Sequence, residues 1–240
     1  MLLIFLKRVL AAIPVLIIVA SLTFFLVRLA PGGPFDSDRA VSDEVLINLQ
    51  EAYNLNAPLS EQYFDYMSGV IVGDFGPSFR YPGRGVSEMI FTGLPVTLEL
   101  ALYSILIAVL VGIFSGVLAA LKRNTLLDFI PMALAMIGMC VPTFLMGPLL
   151  VLIFGINLEV LPVSGWGNLP GDKLLPSITL GFAYAAYIAR LSRGGMLEIL
   201  GQDFIRTARA KGLSERVVVT KHAMQGGLIP VVSFLGPAVA

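Results

Sequence analysis

An all-α integral membrane protein is the fold class this sequence predicts, and three observations carry it. Of its 240 residues, 57% are hydrophobic and only 13% charged, where soluble domains carry about 25% charged residues. Charge is also segregated by segment, so the formal net charge of +0 hides strong local excesses. Third, several uncharged apolar runs approach the ~20 residues that an α-helix needs to cross a bilayer. Cys140, the single cysteine, excludes an internal disulfide and reads as a small residue packed between helices. With one histidine, His222, no Cys/His cluster offers a metal site.

The first span is expected over residues 9–27, with Lys7 and Arg8 before it. Flanking basic residues favour the cytoplasm, so the N-terminus is expected inside. No small-residue cleavage site follows, against a signal peptide. Residues 1–29 are therefore taken as an N-terminal transmembrane helix, and Pro14 is tolerated within it. Residues 30–93 carry nine acids against three arginines, the opposite of a cytoplasmic loop, and predict a helical region on the external side. Ser42 suits the cap of one helix bearing Val45, Leu46, Leu49 and Tyr53. Pro58 suits the start of another whose apolar side is Leu59, Tyr63, Met67, Val70 and Ile71.

Residues 94–240 form the expected membrane core. Span two is placed at 100–121, with Ala108, Gly112, Gly116 and Ala120 at intervals of four, a ridge that permits close helix approach. That ridge is read as packing inside the chain or as a subunit interface. Glu99 at its edge reads as a solvated or interfacial carboxylate. Span three, 129–156, is interrupted by Gly138, Pro142, Gly147 and Pro148, so a break is expected in its middle. Pro142 and Thr143 then line a translocation path, or simply kink a packed helix. Span four, 174–191, repeats the ridge as Gly181, Ala185 and Ala189, while Tyr184 and Tyr187 either touch a translocated molecule or pack. The apolar run 228–240 is too short to cross by itself, which reads as a chain truncated in its fifth span.

Between spans four and five lies a basic segment, 196–225. Arg206, Arg209, Lys211, Arg216 and Lys221 outnumber Glu198, Asp203 and Glu215. Two short helices are expected around a break: 202–211, capped by Asp203, and 215–224, capped by Ser214. Gly212 supplies the positive φ between them. Phe204, Ile205 and Ala208 are expected on one side, Arg206 and Arg209 on another. A basic helix–Gly–helix knuckle between spans suits a surface that presses on a partner protein.

The string Asp203-Phe204-Ile205-Arg206-Thr207-Ala208-Arg209-Ala210-Lys211-Gly212-Leu213 resembles the cytoplasmic loop of importer-type ABC permeases, in their oligopeptide, dipeptide and nickel branch. Of the general pattern of that loop, Ala208 and Gly212 match. Ala30-Pro31-Gly32, Gln62-Tyr63 and the run from Gly73 to Phe79 are similar to the same branch. The resemblance implies a type I ABC importer transmembrane domain in a bacterial inner membrane. It implies an ATPase-coupling role for residues 203, 204 and 206–213. It also implies as partners a sister permease, two ABC ATPase subunits, a periplasmic or lipid-anchored substrate-binding protein and membrane lipid. The substrate implied is oligopeptide, with dipeptide, glutathione or nickel as alternatives.

Absences point the same way. No phosphate-binding Gly-x-x-x-x-Gly-Lys-[Ser/Thr] loop, nucleophile elbow or His-Glu-x-x-His helix occurs, and nothing suggests a cofactor, a catalytic residue or nucleic-acid binding. No chain of intramembrane carboxylates or histidines suggests a proton-coupled carrier. A membrane enzyme or self-energised carrier is the reading from another class, and these absences count against it.

Overall fold

The computed structural model describes residues 2–29, 54–78, 81 and 83–239; the helix expected after Ser42 lies outside them. The described residues are almost wholly helical, with one isolated bridge between Pro77 and Gly85. They divide into two units, 1–95 and 96–240.

In the first unit, α1 (Leu2–Leu29) is apolar on every side and its large side chains are mostly exposed, as a helix facing lipid should be. Pro14 lies within it. Pro58 immediately precedes α2 (Leu59–Val72), which ends at Gly73 with φ 81°. The face that α2 turns inward is only partly the expected one: Tyr63, Met67 and Val70 are half-buried, but Leu59 and Ile71 are exposed and the buried residue is Gln62. Its amide donates to the Leu55 and Ala57 carbonyls, and its oxygen accepts from Arg28 Nε at 2.8 Å. A buried amide is favourable when so satisfied. Phe24, Phe25, Tyr63 and Tyr66 close the α1–α2 contact with ring centroids 5.4–5.5 Å apart.

α3 (Val86–Leu121) begins well before the expected residue 100, runs through Pro95 and carries the chain from the first unit into the second. α4 (Leu126–Cys140) and α5 (Thr143–Leu150, continued as a wider π turn over Val151–Asn157) are the expected broken span. The two halves bend by 112°. Pro142 has no N–H to continue the ladder, so the chain turns there. α6 (Leu174–Leu200) is one uninterrupted helix. It continues nine residues past the expected end of span four, and so takes in the first residues of the segment 196–225. Among the described residues three helices are long and apolar enough to cross a membrane, or four if the bent pair counts as one.

The two small-residue ridges meet each other. Ala108, Gly112, Gly116 and Ala120 on α3 are all buried, as are Gly181, Ala185 and Ala189 on α6. A Cβ on Gly112 would lie 2.8 Å from the Ala185 carbonyl, and one on Gly181 would lie 2.7 Å from that of Ser104. Small residues let the backbones approach to this distance, which builds dispersion contact where lipid supplies no hydrophobic drive. The ridge therefore packs within the chain. On its other side, α6 meets α4, where Gly138 faces Phe182 and Ala186.

Candidate functional site

α7 (Asp203–Ala210) follows α6 after a short turn. Asp203 is not its cap: Gln202 holds that position, and Asp203 is the first helical residue, its carboxylate 3.3 Å from Arg206. There an acid still favours the positive end of the helix dipole. α7 ends in a Schellman arrangement. Gly212 N–H donates to the Arg209 carbonyl at 2.9 Å, Leu213 N–H to that of Ala208 at 3.4 Å, and Gly212 takes φ 80°. Only an achiral residue adopts that φ without penalty. Ser214 sits at the cap position of α8 (Glu215–Val217) without a side-chain bond to it. The second helix is not the regular one expected over 215–224: a π segment, Val218–Ala223, separates α8 from α9 (Met224–Gly227). α10 (Ile229–Val239) follows.

The knuckle is rooted by a compact cluster. Ile205, Met196, Val218 and Ala223 are fully buried together with Ala208 and Ala120, and Ile205 alone gains about 2 kcal/mol by leaving water. Phe204, expected beside them, is half exposed. In an eight-residue helix the one-residue offset between 204 and 205 turns the ring through about 100°. Arg206, Thr207, Arg209, Ala210, Lys211, Gly212 and Leu213 form the exposed rim. Arg209 grips Glu215 through Nε at 2.6 Å and Nη2 at 3.2 Å. This grip holds the Glu215 carboxyl below, and the Arg209 guanidinium above, its ordinary range.

The expected path residues do not converge. Pro142 and Thr143 are exposed at the α4–α5 break, and α5 lies along the α6 stripe that carries Thr179 and Phe182. Tyr184, two residues from Phe182 and so about 200° around α6, stands with Tyr187 beside Phe234 of α10.

Two polar constellations were not read from the sequence. Buried Asp128 receives both prongs of Arg193, at 2.6 and 2.7 Å, and also accepts from Asn124 N–H at 3.0 Å. This ties the start of α4 to α6 three residues before Met196. At the opposite end of α6, Glu99 accepts from Lys173 Nζ and from Trp166 Nε1, the latter at 3.1 Å. Glu99 is thus paired within the chain rather than merely solvated, and it raises the Lys173 ammonium above its usual range. The sequence signal was slight: Glu99 is the one acid between Glu88 and Asp128, and its partners lie 67 and 74 residues away.

Residues 108–240 match the family described as the binding-protein-dependent transport system inner membrane component, and residues 1–101 match its N-terminal membrane component. The chain belongs to this family of ABC importer permeases: it is a non-catalytic integral membrane subunit of a bacterial inner membrane, and ATP hydrolysis lies on separate subunits. Such permeases work with another permease, an ATPase and a binding protein. The chain is 46% identical to the oligopeptide transport system permease protein OppB of Salmonella typhimurium over 234 residues, 97% of this chain and 76% of that protein. It is similarly 46% identical to OppB of Haemophilus influenzae over 97% and 76% of the two lengths. With the dipeptide transport system permease protein DppB of Bacillus subtilis it shares 42% identity over 98% and 76%.

Proposed function

We propose that this permease forms half of the translocation path of an oligopeptide importer, with residues 203–213 as the surface that an ATPase subunit pushes. The identity to oligopeptide permeases over nearly the whole chain carries the substrate reading. The coupling reading is supported by a charged, exposed rim on a buried root that is continuous with α6. In this reading the N-terminus and the knuckle face the cytoplasm, residues 30–93 face the periplasm, and a sister permease completes a heterodimer. Two ATPase subunits dock on the cytoplasmic face and a substrate-binding protein, periplasmic or lipid-anchored, docks on the other. ATP-driven closure displaces the knuckle, tilts α6 and opens the path outward, and reopening returns it inward. Such a shift requires that the knuckle contact the closed and open ATPases differently.

A reconstituted complex of this chain with its sister permease, ATPases and binding protein tests the reading. Uptake of labelled peptides of three to five residues in the presence of ATP is the expected result. Import of nickel alone, or of dipeptides alone, would sink the oligopeptide assignment and leave the family intact.

A further inference from the structure

Two arginines three residues apart on α6 stand in opposite circumstances. Arg193 is clamped on Asp128 by both prongs of its guanidinium. Arg190 is exposed, and its side chain touches the Met139 thioether at 4.0 Å. Among the described residues no carboxylate lies within ion-pair distance of it, and the acid on the neighbouring α4, Asp128, is already taken. A cation on a membrane-crossing helix is costly to leave unpaired, and such residues mark the routes of substrates and ions.

Depth sharpens the point. Helical side chains lean toward the helix N-terminus, and the contact with Met139 brings the Arg190 guanidinium toward Gly138, which faces Phe182 and Ala186. Arg190 Cα lies about 24 Å along α6 from Leu174 at 1.5 Å per residue, so its guanidinium, leaning back, stands in the inner half of a hydrocarbon layer about 30 Å thick. Met139 immediately precedes the break of the α4–α5 span, where Cys140, Pro142, Thr143 and Phe144 are all exposed. Irregular backbone at this depth is tolerated where it lines a water-filled cavity. A cation without a carboxylate partner among the described residues and an exposed helix break thus coincide in the inner half of the membrane-crossing segment.

We propose that Arg190, beside the break between Cys140 and Thr143, forms a cationic subsite that takes the carboxylate of a peptide during its passage. The planar guanidinium fork matches a carboxylate through two parallel hydrogen bonds, which an ammonium cannot reproduce. This inference rests on the peptide reading above.

The test uses the complete reconstituted complex and two tripeptides with uncharged side chains, identical except that one ends in a free carboxylate and the other in an amide. Each is supplied at saturation of the binding protein, whose affinity for each is measured separately. Arg190→Gln is expected to lower free-acid uptake about tenfold and amide uptake less than twofold, with Arg190→Lys between Gln and wild type. Equal loss of both peptides at equal complex abundance, as an ion pair with the sister permease would give, overturns the proposal. So does undiminished free-acid uptake by Arg190→Gln. Should that variant fail to accumulate, Arg190→Lys carries the comparison, and an unaltered acid-to-amide ratio counts against the subsite. If the wild-type complex imports neither peptide, the substrate reading falls and the subsite with it. If it imports both and the variants do not separate them, only the subsite falls.

Discussion

Glycine does opposite work in the buried ridge of α3 and at the knuckle. At Gly116 the missing side chain is a matter of room: a Cβ there would press on the Ala189 carbonyl and would lie 2.6 Å from Ser192 Cβ. At Gly212 nothing lies within 4 Å of the place a Cβ would occupy, yet φ is 80°. One position excludes volume and the other excludes a backbone handedness. The difference separates assembly from transmission: the ridge decides whether the second unit packs, and the knuckle decides the shape it offers.

Four substitutions sharpen that contrast, in falling order of effect. Gly116→Leu drives a branched side chain into backbone that cannot retreat, and overpacking against backbone costs about 4 kcal/mol or more, above the usual range. Protein in the membrane fraction, followed by immunoblot, is expected to drop severalfold, and normal abundance would remove the ridge from the packing account. Asp128→Ala leaves the mostly buried Arg193 guanidinium without its carboxylate, which costs about 2–4 kcal/mol. The melting temperature of the detergent-solubilised protein should fall, and Asp128→Ala with Arg193→Met should recover part of the loss. Gly212→Leu costs only about 1–2 kcal/mol in backbone strain, so insertion and assembly persist while ATP-driven uptake is lost. Gly212→Asn, a residue that enters the left-handed region more readily, should keep more uptake than Leu; the reverse order would show that φ is not the constraint. Glu215→Gln ranks last, because its pair with Arg209 is largely exposed. The carboxyl is held below its usual range in the fold, so the pair contributes above the unfolded-state value and is lost as pH falls through the folded one. At neutral pH the melting temperature should stay within about 1 °C of wild type, and the variant should lose the pair's share of acid sensitivity.

What could be read from the chain was local. Pro142 announces the broken span because a residue without an N–H cannot continue the ladder, although Pro14 and Pro95 are carried inside their helices. Small residues at intervals of four announce both ridges, and Gly212 announces a left-handed turn, since each feature is written within a few neighbouring residues. Pairing at a distance was not legible. Asp128 and Arg193 are 65 residues apart, and nothing near either names the other. The α2 face was legible in part, through Tyr63, Met67 and Val70; Gln62 is polar, and only Arg28, 34 residues earlier, with two loop carbonyls, makes its burial favourable. Phe204 misled for a related reason: amphipathic grouping ranks residues by hydrophobicity, whereas Ile205 was chosen by the position of Met196 and Val218. α3 starts before the expected residue 100 because the helix runs through Pro95, which does not end it.

α6 has no joint along its length, whereas the span before it is broken in the middle. Trp166, the sole tryptophan of the chain, is pinned through Glu99 next to Lys173 at one extremity of that rod, and the root of the knuckle is at the other. An indole fixed in this way senses the hydration and charge around it. Its emission is therefore expected to report a displacement applied roughly 40 Å away at the other end of the rod.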